Sequence, residues 1–262
     1  MSVPSSSIPR IVFFSDFDGT ITTTDSNDYL VAKLGYGDQR LNQSNRAVLE
    51  GRLPLREAIL EQMHSLQISM EQCIDFQCKH IELDPHFVTF YNWAKDSNIP
   101  VVILSGGLRP LILALLTKLL GSEEASKIEL ISNDIEYTGD EYKEGVDQRK
   151  WKVKFHDESD LGCDKAVQIE KYIAKYRGLT DAERPALLFA GDGITDLCAA
   201  GSCDLLFAKA GKGTAPIIFL MHGYLGLTRS VLDLVTYCEN ENIAFTTFED
   251  WREIFHATKS IL

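Results

Sequence analysis

The sequence lacks several features that would each indicate a particular class of protein. Its longest apolar runs are far shorter than the roughly 20 residues that a membrane-spanning helix needs. Lys and Arg form no block, and 26 basic residues against 38 acidic ones give a formal net charge of −12, which argues against a nucleic-acid surface. We therefore expect neither nucleic acid nor a membrane among the partners of this chain.

Paired cysteines are also missing. None of the six cysteines lies in a CxxC pair, which argues against metal–thiolate or redox chemistry as the function. The stretch from Met1 to Pro9 lacks the basic and then apolar pattern of a signal peptide, and we interpret it as a short disordered lead-in. These observations predict reduced thiols and a soluble, cytoplasmic protein.

The most informative stretch that is present runs from Asp16 to Thr20 (DFDGT), directly after the apolar run Ile11 to Phe14. Strand side chains alternate, so Asp16 and Asp18 point to the same side. Gly19 lets the backbone turn sharply and approach a ligand, and Thr20 adds a hydroxyl group. The arrangement suits a metal and a phosphate, although Asp and Gly are also ordinary turn formers.

Further polar motifs follow other apolar stretches. Leu104 to Gly107 (LSGG) and Gly191 to Asp196 (GDGITD) each come after a predicted buried strand, and Lys165 opens the helical segment between them. In an α/β sheet the carboxyl ends of the strands carry the site, so we expect these residues to face one edge.

Strand and helix signals alternate over most of the chain, which predicts an α/β fold with a mainly parallel sheet. Strands are predicted at 10–15, 99–104, 128–132, 186–190 and 204–207, and helices at 108–120, 164–177, 193–200 and 230–241. Residues 25–95 differ, because they contain consecutive helical segments and no strand.

A charged and aromatic segment at 134–162 shows alternation around Lys150 to Phe155, which favours a half-exposed strand in a hairpin at the sheet edge. We interpret its lysines as solvated edge residues that block edge-to-edge pairing, in preference to an anion site.

The four motifs together resemble the haloacid dehalogenase-like superfamily of phosphohydrolases, and within it the phosphoserine-phosphatase-like branch. The resemblance covers roughly residues 10–210. It implies a Rossmann-like three-layer α/β/α core with a parallel sheet, formed by residues 1–24 and 96–262. A small helical cap, residues 25–95, would be inserted after the first strand, where it would exclude water and contact the part of the substrate that is not phosphate.

The resemblance also implies an enzyme, a Mg²⁺-dependent phosphatase that works through an aspartyl-phosphate intermediate. Asp16 would be the nucleophile and Asp18 the general acid and base. The dehalogenases of the superfamily lack this second Asp, because a departing halide needs no proton. Asp18 therefore favours phosphate chemistry.

The same resemblance assigns the metal and the phosphate. Mg²⁺ would be held by Asp16, the backbone carbonyl of Asp18 and Asp192, while Asp196 would orient this shell or bind through water. The phosphate oxygens would be held by Ser105, the Gly106 amide and Lys165.

The expected substrate is a small phosphorylated metabolite. Asp25 occupies the position of the acidic residue that meets the substrate ammonium in phosphoserine phosphatases, but Leu60 stands where their cap arginine would be. The sequence around Leu104 to Pro110 resembles fungal small-metabolite phosphatases related to methylthio-ketopentyl phosphate phosphatase. Asp25, with Asn27 and Asp28, could accept hydrogen bonds from a polyol or sugar phosphate, or Asp25 could simply cap the next helix.

The sequence is also compatible with other hypotheses. The chain could be a phosphoserine or methylthio-ketopentyl phosphate phosphatase, a phosphotransferase, or a catalytically silent binding protein. An apolar stretch at 213–232 interrupts the expected join between the last core strand and the next helix. It is either a genuine insertion or translated intron sequence, and we favour the intron.

Overall fold

The computed structural model describes residues 8–138, 150–210, 234–241 and 243–262. The apolar stretch at 213–232 lies outside the described residues. The strands are β1 (Ile11–Ser15), β2 (Val101–Leu108), β3 (Glu129–Tyr137), β4 (Trp151–Lys154), β5 (Ala186–Gly191), β6 (Leu205–Lys209) and β7 (Thr246–Phe248). The helices are α1 (Ser26–Leu34), α2 (Asp38–Leu49), α3 (Leu55–His64), α4 (Met70–His80), α5 (His86–Asp96), α6 (Arg109–Leu120), α7 (Ser122–Ala125), α8 (Lys165–Lys175), α9 (Leu197–Ala200), α10 (Leu234–Glu241) and α11 (Trp251–Ser260).

The strands form a seven-stranded sheet in the order β4-β3-β2-β1-β5-β6-β7. Strand β1 pairs in parallel with β2 and β5, and β6 pairs in parallel with β5 and β7. Only the pairing of β3 with β4 is antiparallel among the pairings recorded for the described strands. The predicted α/β fold with a mainly parallel sheet is confirmed.

The chain divides into two compact units. The first contains Met1–Asp16, Asp84–Leu104 and Asp164–Leu262, and the second contains Phe17–Leu83 and Ser105–Cys163. The division falls within the first two motifs. Asp16 belongs to the first unit and Asp18 to the second, and likewise Leu104 belongs to the first unit and Ser105 to the second.

Aromatic packing positions β1 in the first unit. All five residues of β1 are buried, and alternate side chains contact different neighbours. The Phe13 ring lies 4.7 Å from that of Phe90 and 5.7 Å from that of Trp251, while the Phe14 ring lies 5.1 Å from that of Tyr172. Because both faces of the strand are covered, the residue that follows it is held in a fixed place.

The second unit has its own apolar core. Helices α1 to α4 contribute Leu30, Leu41, Met63 and Met70 in turn, and the hairpin strand β4 contributes Trp151 and Val153. The indole nitrogen of Trp151 donates a hydrogen bond to the carbonyl of Ile68, at 3.1 Å, so its one polar atom is satisfied. The alternation predicted for this segment arises because Trp151 and Val153 are buried while Lys152 and Lys154 are exposed.

Several elements differ from the sequence prediction. The predicted helix at 193–200 is divided into a 3₁₀ turn, Ile194–Asp196, and the short α9, because the Asp196 side chain accepts hydrogen bonds from the amides of Asp192 and Gly193. Strand β7 and helix α11 were not predicted at all. β7 is three residues long with two exposed threonines, a pattern too short to show a period.

None of the helices in the described ranges has both the length and the apolar character that crossing a bilayer would require.

Candidate active site

Strand β1 delivers Asp16 to a buried position. The Asp16 amide donates to the carbonyl of Ala190 at 2.8 Å, which continues the pairing of β1 with β5 by one residue. The residue is only 6% exposed. Beyond it the chain turns back, with the amides of Ile21 and Thr22 bonded to the carbonyl of Phe17, and Gly19 adopts a φ of 74° that favours glycine.

Lys165 brings a positive charge to the same place in the first unit. It is the first residue of α8, which Asp164 caps by accepting hydrogen bonds from the Ala166 and Val167 amides. The Lys165 Nζ lies 2.9 Å from Asp16 Oδ1 and 2.6 Å from Asp196 Oδ1. A lysine that is 1% exposed is stable in its charged form only with such partners.

The turn after β5 holds Asp196 rigidly. Asp196 Oδ2 accepts hydrogen bonds from the amides of Asp192 and Gly193, both at 3.0 Å, and the side chain is fully buried. A Cβ atom at Gly191 would lie 2.5 Å from Asp196 Oδ2, so only glycine fits at the end of this strand. The turn therefore fixes Asp196 and, through its backbone, the position of Asp192.

Negative charge exceeds positive charge in this cluster. Ligand oxygens of Asp16, Asp192 and Asp196 all lie within 4.8 Å of one another. Burial raises the pKa of Asp16 well above its usual value near 3.8, and repulsion from Asp196 adds to this, while attraction to Lys165 works in the opposite direction. Burial lowers the pKa of Lys165, but its attraction to Asp16 and Asp196 outweighs burial and raises it overall, so Lys165 stays cationic.

The donor set fits a hard divalent cation. Crowded carboxylate oxygens are the ligands that Mg²⁺ uses in proteins, and a dication would offset the excess negative charge that raises the Asp16 pKa. Asp192, which is half-buried, is the member of the cluster with a side chain partly open to solvent.

Asp18 lies in the second unit, within a hydrogen-bond network of its own. Its Oδ1 accepts hydrogen bonds from the amide and hydroxyl of Ser26, at 3.0 and 2.5 Å. Its Oδ2 accepts from the side-chain amide of Asn27 at 2.8 Å. Ser26 and Asn27 start helix α1, so this helix fixes the orientation of the Asp18 carboxyl group.

The second motif packs against that network. A Cβ atom at Gly107 would lie 3.0 Å from both Asp18 Oδ2 and Asn27 Nδ2, so the glycine leaves the space that they occupy. The Gly107 amide donates to Ser105 Oγ at 3.0 Å, and Ser105 is buried. The Gly106 carbonyl accepts a hydrogen bond from the Asn133 side chain at 2.7 Å.

Asp25 is an exposed N-cap residue of α1, and its side chain accepts a hydrogen bond from the Asp28 amide at 2.8 Å. Asp25 therefore caps α1 in the structure, as one of the two hypotheses from the sequence proposed. Asp28 in turn accepts from the Asn45 side chain at 2.9 Å, and burial, helped by the charge of Asp25, raises its pKa to about 7.

The predicted site residues thus fall into two sets. The first unit brings together Asp16, Lys165, Asp192 and Asp196, and the second brings Asp18, with Ser26 and Asn27, beside the loop of Ser105 and Gly106. Gly107 belongs to the LSGG motif but was given no role from the sequence, and Ser26 and Asn133 were not expected in the site. Asn27 was expected to accept hydrogen bonds, whereas in the structure its side-chain amide donates one. For Asn133 the available signal was the polar run Ser132 to Asp134, which follows two apolar residues and lies in the middle of β3.

Comparison with known proteins agrees with this geometry. The family described as haloacid dehalogenase-like hydrolase matches residues 13–201. The chain is 36% identical to the polyol phosphate phosphatase PYP1 of Saccharomyces cerevisiae, over 97% of this chain and 94% of that protein. It is 37% identical to the Pdp3-interacting factor 1 of Schizosaccharomyces pombe, over 94% of this chain and 93% of that protein.

Among solved structures, a phosphoserine phosphatase with an analogue of its phospho-aspartyl intermediate superimposes with a TM-score of 0.61. The superposition covers 95% of this chain and 99% of that phosphatase, with 16% sequence identity. At this identity the comparison shows a shared fold.

Proposed function

Because the chain belongs to the haloacid dehalogenase-like hydrolase family and is a phosphatase of that family, we propose that it hydrolyses a small polyol or sugar phosphate. The observation that carries the proposal is the buried Asp16, whose carboxylate lies 2.9 Å from the Lys165 ammonium group and has an oxygen within 4.8 Å of oxygens of two further carboxylates. The name of its 36% identical relative, a polyol phosphate phosphatase, supports the same substrate class.

The proposed reaction has two steps. In the first, a carboxylate oxygen of Asp16 attacks phosphorus, the bond from phosphorus to the ester oxygen breaks, and Asp18 gives its proton to the departing alkoxide. In the second, Asp18 takes a proton from water, which attacks phosphorus and releases inorganic phosphate and the free Asp16 carboxylate. Ser26 and Asn27 support this role of Asp18, because they hold its carboxyl group in one orientation.

Charge on the transferring phosphoryl group needs compensation. Lys165 supplies a fixed positive charge at Asp16, and Ser105 with the Gly106 amide supplies hydrogen-bond donors. Asp16, Asp192 and the Asp18 carbonyl would hold Mg²⁺, which when bound neutralises phosphate charge and lets the two anions approach. Asp196, bonded to the loop amides, positions Asp192 for this purpose.

The cap helices favour a polyol over phosphoserine. Arg56 on α3 donates to the carbonyls of Asp157 and Ser159 at 2.8 and 2.9 Å, and its guanidinium lies 4.1 Å from the Phe155 ring centre. Arg52 pairs with Glu50 at the surface. Arg52 and Arg56, the arginines near Leu60 in the sequence, are therefore engaged in structural contacts. A substrate carboxylate would have no arginine partner at this position.

A phosphate-release screen tests the proposal. We expect the highest kcat/KM among polyol and sugar phosphates, with lower values for phosphoserine, nucleotides and a methylthio-ketopentyl phosphate. Asp16→Asn should abolish release, and chelation of the metal should do the same to the unaltered protein. Asp181→Asn is the matched control, because that carboxylate is 98% exposed and pairs with Arg184 at the surface.

Three results would contradict the proposal: full activity of the Asp16→Asn protein, full activity in chelator, or a clear preference for phosphoserine. Adding an alcohol acceptor tests the phosphotransferase alternative, since transfer to the acceptor would reduce free phosphate while substrate is still consumed. The joint presence of Asp16, Asp18 and Lys165 argues against a silent binding protein, which has no chemical need for both nucleophile and acid.

A further inference from the structure

A cavity of about 390 Å³ lies in the second unit, apart from the residues assigned to phosphate hydrolysis. This size is within the range of small-molecule sites in proteins. It lies where the start of α6 meets β3 and the end of β4. The residues that line it are Arg109, Leu130, Ser132, Asp134, Lys154, Phe155 and His156.

The cavity concentrates basic groups in a chain whose formal net charge is −12. Arg109, Lys154 and His156 line it together, against the single carboxylate of Asp134. No ion pair of these three basic residues is recorded within the described parts of the chain. The Arg109 guanidinium is held in place because Nη1 donates to the Leu130 carbonyl at 2.8 Å, a bond that uses one of its five N–H groups.

Protection of the sheet edge does not account for this cluster. Lys152 and Lys154 both project from the exposed face of β4, and an edge-protecting role suits either. They differ in their surroundings, because Lys152 pairs with Glu136 at 3.1 Å while Lys154 lines the cavity. Arg109 lies on a helix and is no edge residue, yet it reaches the same cavity.

We propose that this cavity is a binding site for a small metabolite that carries a phosphate or carboxylate group. Arg109 and Lys154 contact the oxyanion, with His156 as a further donor, since a planar guanidinium and an ammonium group are the side chains that bind such groups most strongly. The Ser132 hydroxyl, which donates to the Asn133 carbonyl at 3.0 Å, can turn toward the ligand. Asp134 accepts a hydrogen bond from a hydroxyl group of the ligand.

The site is connected to the second motif through one side chain. Asn133 donates to the Gly106 carbonyl at 2.7 Å, and its Oδ1 accepts from the His156 amide at 3.0 Å. Ser132 and Asp134, the neighbours of Asn133 on β3, both line the cavity. Asn133 therefore links the backbone at the edge of the cavity directly to the loop of Ser105 and Gly106.

Backbone amide NMR on the full-length protein with Mg²⁺ tests the proposal, with inorganic phosphate and succinate as separate probes at millimolar concentration. At least one probe should shift the amides of Ser132, Asp134, Lys154 and His156 in a saturable way. Lys154→Gln should weaken that binding tenfold or more. Lys152→Gln is the matched control, and it should leave the affinity unchanged because Lys152 does not line the cavity.

The two probes separate the possible ligands. Shifts with phosphate alone assign a phosphorylated metabolite, and shifts with succinate, which has no phosphate, assign a carboxylate. His156→Gln provides a second variant and should also weaken binding. The proposal is overturned if neither probe moves these amides, or if Lys154→Gln and Lys152→Gln bind the probe equally well. Phosphate shifts confined to Gly106 and the loop after β5 would likewise overturn it, since they would report the hydrolytic site alone.

Discussion

The Nζ of Lys165 lies 2.9 Å from Oδ1 of Asp16, and their side chains are only 2% and 8% exposed. A buried ammonium group so close to a carboxylate favours its ionised form, against the effect of burial, and fixes its orientation, and a nucleophile requires both. The same nitrogen reaches Asp196 at 2.6 Å, so one lysine compensates two buried charges. Removing the Lys165 side chain would leave the carboxylates of Asp16 and Asp196 without this positive charge.

Lys165→Met should reduce kcat by about 100-fold or more, the typical effect of removing one charge-stabilising donor. It should also lower stability by about 3–5 kcal/mol, because it leaves buried carboxylates uncompensated. Phosphate release and thermal unfolding measure the two effects. Lys171→Met is the control, since Lys171 is an exposed residue of the same helix that bonds to Gln168. Equal activity of the two variants would show that Lys165 has no part in the reaction.

Gly107→Ala tests the orientation of Asp18. The added Cβ would lie 3.0 Å from Asp18 Oδ2 and from Asn27 Nδ2, so this hydrogen-bonded pair must move by a few tenths of an ångström. We expect kcat to fall about tenfold, equivalent to about 1.4 kcal/mol on the barrier, with little change in stability. Gly201→Ala is the control, because nothing lies within 4 Å of its added Cβ. If kcat is unchanged in Gly107→Ala, Asp18 does not depend on this packing.

Asp16→Asn should stabilise the metal-free protein while abolishing its activity. Burial raises the pKa of Asp16 in the folded state above its usual value near 3.8, so folding favours the neutral form. The stability gained from that form is complete below pH 3.8 and is lost as pH rises through the raised pKa. The Asp16→Asn variant has no ionisable group at position 16, so its folding stability does not fall in this way as the pH rises.

Thermal unfolding in chelator measures this effect. At pH 8 the Asp16→Asn protein should melt at a higher temperature than the unaltered protein, and the difference should shrink as the pH is lowered. Added Mg²⁺ should raise the melting temperature of the unaltered protein more than that of the variant, since only the former keeps the Asp16 carboxylate. A lower melting temperature for the variant in chelator at pH 8 would refute the argument.

Arg56→Met should affect stability and leave substrate ranking unchanged. Arg56 stacks over Phe155 and donates to two carbonyls of the loop after β4, so its loss should cost about 1–2 kcal/mol in unfolding free energy. Arg52→Met is the matched control, because Arg52 pairs with Glu50 in solvent and such pairs contribute little. A selective loss of activity toward phosphoserine in Arg56→Met would instead mean that Arg56 binds the substrate carboxylate.

The sequence alone determined the fold class and the chemical character of the first motif. Five consecutive buried positions in β1 followed by two Asp and a Gly form a local pattern, and a strand end followed by a tight turn results from neighbouring residues only. The order of Asp16, Ser105, Lys165 and Asp192 along the chain was enough to predict the family, which is confirmed. The catalytic roles of these residues stay predictions.

What the sequence could not indicate are the contacts that bring distant segments together. Asn27 looked like a hydroxyl acceptor, but its side-chain amide donates to Asp18, nine residues earlier, since the turn places α1 against that carboxylate. Gly107 limits the space around the same pair from the far end of β2, and Asn133 supports Gly106 from another strand. Hydrophobic periodicity, which predicts helices and strands, carries no information on contacts between residues that are far apart in the sequence.

The charge on the buried cluster was likewise decided by tertiary structure. Asp16, Lys165 and Asp196 have ordinary side chains in the sequence, and only burial in a common site shifts the pKa of Asp16 and keeps Lys165 charged. Lys154 was indistinguishable from Lys152 until the fold placed Arg109 and His156 beside it. Local patterns fix which groups are present, whereas desolvation and close approach, which depend on packing, decide what those groups can do.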